Sequence, residues 1–255
     1  TPEGTLNAAA KLLPHIRDIG MDIIYLCPIV EADDDMRLEY WSERQKKSGT
    51  ENPKNPYRIK DYYNIDPEYG NREDLEVFVK TVHSLGMKVI LDLVYFHCGP
   101  NAVFIKEHPD FVMRDETGEL DCGQWHFPKI NFASSELREY LWQNMEYFVR
   151  EYDVDGYRCD VGDACPLDFW EEGRKRIEAL KPGIIMLNEG QKPDALKKAF
   201  DINYDFNWNR SIVKAFGGGG IQDIVNRWKE CISMLPEGGL VLRALDTHDF
   251  ANESY

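Results

Sequence analysis

The sequence predicts an α/β fold in which parallel β-strands alternate with amphipathic helices. Short apolar runs such as 89–94 alternate with stretches whose apolar residues recur at helical spacing. Two helix–glycine–strand junctions, at 19–23 and 85–89, share one design. This alternation is typical of βα units around a parallel sheet, and 255 residues with 43% hydrophobic content suffice for one large domain over 1–255.

The expected elements follow one another with one interruption. Strands are expected at 23–27, 89–94, 156–160, 184–187, 202–208 and 240–245. Helices are expected at 5–19, from 71 to Gly86, from about 135, at 168–181, near 193–199, and after the flexible connector 217–220. Residues 98–131 show little periodicity and are expected to form an inserted loop region. In a parallel α/β fold, long loops at the ends of strands hold the substrate.

Composition excludes several classes of partner. The net charge of −15, from 30 basic and 45 acidic residues, argues against nucleic acid and against an anionic membrane surface. No apolar run has the length of a membrane span. The six cysteines show neither zinc spacing nor a CxxC pair, and three lie in or at the end of expected strands. Buried free thiols are the common interpretation, which favours a reducing compartment such as the cytoplasm.

Arg158 and Asp160 are the first candidates for chemistry. They are two residues apart on an expected strand, so their side chains share one face. Burying two charges there costs desolvation free energy, which suggests that the pair has a function. The arginine is expected to hold the carboxylate ionised, which suits a nucleophile at neutral pH. A purely structural ion pair explains this stretch equally well when it is considered alone.

Two further acids follow expected strands at the same edge. Glu189 follows 184–187 and Asp249 follows 240–245, so both are expected beside Asp160, with His97 on the same rim. A pair of carboxyl groups, one ionised and one protonated, is the machinery of glycoside hydrolysis. Glu189 has no basic neighbour in sequence, so burial is expected to raise its pKa towards acid duty. The alternatives are a helix cap or loop role for each acid and a core role for His97.

Four ordered stretches make the chain similar to the α-amylase superfamily, glycoside hydrolase family thirteen, over nearly its whole length. The stretches are Asp92-Leu93-Val94-Tyr95-Phe96-His97, Gly156-Tyr157-Arg158-Cys159-Asp160, Leu187-Asn188-Glu189-Gly190 and His248-Asp249, with Pro28-Ile29, Tyr57, Asp61-Tyr62 and Ile65-Asp66-Pro67 as further matches. The resemblance implies a TIM-type (β/α)8 barrel in which strands two to seven are recognisable and 98–131 corresponds to a short second domain.

The resemblance also implies a retaining hydrolase that acts on starch-like or maltooligosaccharide substrates. Asp160 is then the nucleophile that forms a covalent glycosyl-aspartate, Glu189 the acid/base and Asp249 the transition-state stabiliser. Four residues, Tyr57, His97, Arg158 and His248, are then substrate-binding. Tyr57 is expected to stack on a sugar, although core packing is an alternative, and either histidine is as readily a core residue.

Two departures from the family pattern affect metal binding and specificity. Phe96 stands where the family usually has an asparagine that ligates calcium, and Gly162-Asp163 stands where many members have lysine and histidine. Because a phenylalanine cannot ligate a hard cation, no metal or other cofactor is expected. Thr247 replaces the usual asparagine before His248, which leaves the acceptor side of specificity open.

The first and eighth barrel strands and the usual C-terminal β domain have no counterpart in the sequence. Either the chain is a piece of a longer one, or a partner or second copy covers two open sheet edges by self-association. Two other functions stay open. One is a transglycosidase or isomerase of the same superfamily. The other is a non-catalytic interaction module, against which the presence of all three acids argues.

Overall fold

The structure is a computed structural model that describes residues 4–244 and His248. Its strands are β1 (Ile23–Leu26), β2 (Val30–Ala32), β3 (Ile59–Ile65), β4 (Lys88–Leu93), β5 (Gly156–Cys159), β6 (Ile185–Asn188), β7 (Ile202–Tyr204) and β8 (Leu240–Leu242). Its α-helices are α1 (Leu6–Ala10), α2 (Leu13–Asp18), α3 (Glu43–Lys47), α4 (Arg72–Ser84), α5 (Ser135–Tyr152), α6 (Leu167–Leu180), α7 (Phe206–Lys214) and α8 (Gln222–Met234).

Six of the strands form one parallel sheet. The order is β1-β4-β5-β6-β7-β8, and each neighbouring pair is parallel. All six strands expected from the sequence are present, although several differ by one or more residues at their ends. The parallel sheet with intervening helices confirms the α/β class and corresponds to part of a (β/α)8 barrel.

The helices begin and end where local chemistry favours it. At α4, Asn71 and Asp74 form a capping box, in which each side chain accepts from the backbone N–H of the other. At α5, Ser134 caps the first turn and Asp153 ends the helix in the left-handed conformation. The expected apolar face of α5 is fully buried: Leu137, Leu141, Met145 and Phe148.

Gly156 lets β5 and β6 approach each other closely. A Cβ atom at this residue would lie only 2.0 Å from the carbonyl oxygen of Ile185, and the backbone has φ 156°. No other residue type fits there without moving one of the strands. The glycine therefore sets the spacing of the two strands that carry the candidate site.

Three expected elements differ in the structure. The strand expected at 202–208 ends at Tyr204, because the Asp205 side chain accepts from the N–H of Trp208 and starts α7. The connector expected at 217–220 overlaps a π-turn over Ala215–Gly219 that follows α7, and the backbone leaves helical geometry at Gly218 (φ 102°). The single helix expected at 5–19 is divided into α1 and α2, with Pro14 in the first turn of α2.

A second sheet was missed in the sequence. Strands β2 and β3 pair antiparallel with two register shifts, which hides any regular period. The chain between them is tied down by Arg58, whose fully buried guanidinium donates to four backbone carbonyls, those of Asp33, Asp35, Tyr40 and Pro53. This clamp fixes the backbone next to Tyr57.

Region 98–131 is irregular, as expected. It contains the 3₁₀ turns Val103–Lys106 and Pro109–Phe111 and four isolated bridges, which include His97 with Lys129. The region therefore folds back on the end of β4. Within the part of the chain that the structure describes, no helix has the length and apolarity needed to cross a membrane.

Candidate active site

Three acids and an arginine meet at the carboxyl end of the parallel sheet. Asp92 in β4 lies directly opposite Arg158 in β5. Asp160 follows β5 and Glu189 follows β6, and the N–H of Glu189 donates to the carbonyl of Cys159 (3.0 Å). Because parallel neighbours end at the same edge, residues far apart in sequence become neighbours. The structure thus brings together Asp160 and Glu189, as the sequence predicted.

Arg158 lies at the centre of this group. Its side chain is fully buried, and Nη1 donates to both oxygens of Asp92 (3.0 and 2.9 Å) and to Oδ1 of Asp160 (2.8 Å). Nη2 lies 2.9 Å from Oε2 of Glu189. The expected contact with Asp160 is present, but two further carboxylates share the same cation. We call Arg158, Asp92, Asp160 and Glu189 the carboxylate–arginine cluster.

Burial dominates the protonation of this cluster. Burial raises the pKa of Asp160 well above its ordinary value, Arg158 opposes the shift, and Asp92 and Glu189 reinforce it. Burial also raises the pKa of Asp92 against the effect of Arg158. Arg158 favours the ionised form of Asp160, as the sequence predicted, but burial and the two other acids that share this cation act against it. Such a cluster titrates as a unit and keeps a proton to higher pH than an isolated carboxyl group.

Glu189 has a basic partner that the sequence did not indicate. Besides Arg158, the backbone N–H of Val161 donates to the same Oε2 atom (2.8 Å). The donors to Glu189 come from the end of the neighbouring strand rather than from adjacent residues in the sequence. The sequence therefore did not reveal that Glu189 has a basic neighbour. The third expected acid, Asp249, lies outside the described residues, as does Thr247.

Two tyrosines donate hydrogen bonds to Asp92 in addition to those from Arg158. Tyr25 and Tyr57 both donate to Oδ2 of Asp92, the latter at 3.0 Å. Burial raises the pKa of both phenols, so they remain protonated donors. The Tyr57 hydroxyl also lies 2.8 Å from Nε2 of His248, and the two rings stack with centroids 5.6 Å apart. Since its proton is given to Asp92, Tyr57 accepts here and His248 donates.

His97 is buried and neutral. Its Nε2 atom lies 3.0 Å from the backbone carbonyl of Tyr57, so it carries the proton, and the ring packs against Trp125 and Phe127. Burial lowers the pKa of His97 to about 4. The ring lines the cleft next to Asp160. Its expected bond to a sugar hydroxyl stays a prediction.

A cleft of about 410 Å³ opens over the cluster. Its lining includes Tyr57, His97, Trp125, Asp160, Glu189 and His248. A second cleft of about 680 Å³ shares Trp125, Val161 and Glu189 with the first and is bounded by Phe96 and Phe206. Glu189 therefore lines both clefts, and aromatic rings in their walls could stack on sugar faces.

The residues at the place of the family's usual calcium site do not suit a cation. The Phe96 ring packs edge-on against His97 and Trp125. The oxygens of Asp163 accept from the Asn188 amide and from the backbone N–H groups of 191 and 192. An aromatic ring offers no ligand, and this carboxylate is already occupied by donors. No cluster of three or more His, Cys, Asp or Glu suited to a metal occurs within residues 4–244 or at His248.

Comparisons with known proteins agree with this geometry. A family model described as the α-amylase catalytic domain matches residues 1–118. The structure of an α-amylase from Lactobacillus plantarum has a TM-score of 0.85 and 30% identity over 98% of this chain and 60% of that one. A maltogenic α-amylase from Thermotoga neapolitana has a TM-score of 0.82 and 31% identity over 96% and 55%.

The chain belongs to the α-amylase family. A cyclomaltodextrinase from Geobacillus thermopakistaniensis is 30% identical over 206 residues, which are 73% of this chain and 32% of the relative. The chain thus spans about a third of the length of this curated relative. The family resemblance expected from the four ordered stretches is confirmed.

Sequence reasoning missed part of the site. Tyr25 and Tyr204 were not singled out, although Tyr204 accepts from Nε of Arg158 (3.4 Å), and Asp92 was noted without a role. Tyr25 lies two residues from Ile23 on β1, so strand alternation places it on one face. Only the pairing of strands shows that this face meets the cluster.

The pKa of His97 predicts a specific loss of stability in mild acid. Because its folded pKa of about 4 lies below the ordinary 6.5, the unfolded chain binds the proton first. The stabilisation of the folded state by neutral His97 is present above pH 6.5 and is lost as the pH falls towards 4. Its loss lowers the free energy of unfolding by about 2 kcal/mol between pH 7 and pH 5.

Denaturant unfolding at both pH values measures this effect. His97→Gln keeps a neutral amide donor and should lose that part of the pH dependence. His15→Gln, at an exposed position on α2, is the matched control and should keep it. Equal pH dependence in wild type and His97→Gln would contradict the assignment.

Proposed function

We propose that this chain is the catalytic barrel region of a retaining glycosidase that cleaves α-glucosidic bonds. The observation that carries the proposal is the pair Asp160 and Glu189, held by one buried guanidinium at the floor of an aromatic-walled cleft. The names of two relatives, cyclomaltodextrinase and maltogenic α-amylase, support maltooligosaccharides or starch-like glucans as the substrate class.

The proposed reaction has two displacements. In the first, Asp160 attacks the anomeric carbon while Glu189 gives its proton to the departing glycosidic oxygen, which leaves a covalent glycosyl-aspartate. In the second, water loses a proton to Glu189, attacks the same carbon and releases Asp160. Retaining enzymes hold the two carboxyl groups about 5–5.5 Å apart. A single guanidinium bonded to both carboxylates supports such a close spacing.

The remaining site residues are proposed to hold the sugar. Tyr57 is braced by Asp92 and His248, which presents its ring to the cleft as a stacking surface. His97, neutral and fixed by the Tyr57 carbonyl, and His248 are proposed to bind hydroxyl groups. Asp249 is proposed to stabilise the transition state, as the family resemblance implies. These bonds would strengthen as positive charge develops on the sugar ring.

Hydrolysis of maltooligosaccharides and nitrophenyl α-maltosides by the full-length polypeptide tests the proposal. Asp160→Asn should lower kcat/KM at least about 10³-fold for every substrate, because no covalent intermediate forms. Glu189→Gln should cost about 10²–10⁴-fold for sugar leaving groups and much less for nitrophenol, which needs little protonation. Asp194→Asn, at an exposed ion pair, is the matched control and should keep wild-type rates.

The products distinguish the alternatives. Release of an α-anomer and free reducing sugar supports the hydrolase. Transfer of the glycosyl group to a second sugar in place of water identifies a transglycosidase with the same two acids. A wild-type protein that binds maltooligosaccharide without cleaving it would overturn the catalytic proposal in favour of an interaction module.

We also propose that the protein needs no calcium at the Phe96 position. Phe96 offers no oxygen ligand, and the Asp163 carboxylate already accepts from three donors. We therefore expect no bound cation at this position that a chelator could remove. Thermal unfolding with and without excess EGTA should give the same Tm. A clear fall in Tm that added Ca²⁺ restores would contradict this proposal.

A further inference from the structure

Val161, the residue after Asp160, has an unfavourable backbone conformation. Its φ and ψ are 38° and 44°, in the left-handed region. Three non-glycine residues in the described part of the chain have positive φ, and the other two are Asp153 and His126. Aspartate tolerates this region well, whereas a β-branched residue is a genuine outlier there.

The surrounding packing enforces this conformation. The carbonyl of Val161 accepts from the N–H of Ala164 (2.8 Å), and the next carbonyl, of Gly162, accepts from the indole of Trp170 (3.0 Å). A Cβ atom on Gly162 would lie 2.2 Å from Oδ1 of Asn188, so the turn is pressed against the end of β6. A strained residue persists when its surroundings determine it from several sides.

The strained turn aims one N–H group at the proposed acid. The Val161 N–H donates to Oε2 of Glu189 at 2.8 Å, and Nη2 of Arg158 lies 2.9 Å from the same oxygen. Oε2 thus receives two donors, one of them charged. A proton on Oε2 would point at these donors, so the transferable proton belongs on Oε1.

We propose that the Val161 N–H is a positioning group for general acid catalysis, which fixes Oε1 of Glu189 as the oxygen that carries the proton. The inference rests on the proposed function. In the first displacement the O–H bond at Oε1 breaks and its proton passes to the glycosidic oxygen. The electron pair stays on the carboxylate, whose Oε2 charge is stabilised by Val161 and Arg158. In the second displacement the proton of water returns to Oε1.

Replacement of the peptide bond by an ester removes the N–H without changing a side chain. The test variant carries the 2-hydroxy analogue of valine at position 161 in the full-length protein. The matched control carries the 2-hydroxy analogue of alanine at position 164, which removes a hydrogen bond from the same turn but not from Glu189.

The ester at 161 should change acid catalysis selectively. Loss of a hydrogen bond to a charged group should lower kcat about 10- to 100-fold for maltooligosaccharides, but much less for nitrophenyl maltoside. The alkaline limb of kcat/KM should move to higher pH, because the lost bond favoured the ionised carboxylate. The ester at 164 should move neither. Equal pH limbs and equal leaving-group dependence in the two esters would overturn the proposal.

A second measurement needs no activity and separates this inference from the proposed function. At a pH above the alkaline limb, where Glu189 is ionised, the Val161 amide proton of protein labelled with ¹⁵N-valine should resonate upfield in Glu189→Gln relative to wild type, because the acceptor loses its charge. The amide resonances of valines outside the site, such as Val77 on α4, should not move. A Val161 resonance unchanged by Glu189→Gln would overturn the inference even in an active enzyme.

Discussion

The candidate site depends on one buried guanidinium. Arg158 has no exposed surface, and its two terminal nitrogens contact Asp92, Asp160 and Glu189. Burying each ion costs several kcal/mol, so the arrangement persists only because every charge has a partner and the tyrosines complete the shell of Asp92. Removal of the cation would leave three largely buried carboxyl groups without their shared counter-charge.

This shared cation also gives Asp160 and Glu189, the two acids proposed for catalysis, different environments. Asp160 gives one oxygen to Arg158, whereas Glu189 binds both Arg158 and Val161 through a single oxygen. Three acids with one cation favour retention of a proton, which a general acid needs at neutral pH. Rigid strand ends and a locked turn hold these distances, and the strain at Val161 is the local cost of that geometry.

The sequence was sufficient for the fold class and for the residues at the strand ends, because periodicity and the four family stretches are local signals. It was insufficient where the environment of a residue is formed by residues on neighbouring strands. The partnership of Glu189 with Arg158 follows from strand pairing, and the irregular β2–β3 pair has no clean period. The end of β7 was misplaced because apolar residues continue into α7, although Asp205 carried a capping signal.

Trapping the covalent intermediate tests the central claim most directly. A ring-fluorinated maltosyl fluoride should label the protein once, because its ring fluorine slows both displacements while its fluoride leaving group speeds only the first. Digestion and mass spectrometry should then locate the sugar on the peptide that contains Asp160, and its loss on adding an acceptor should restore activity. A label on Glu189, or turnover with inversion and no label at all, would contradict the roles that the cluster around Arg158 assigns to the two acids.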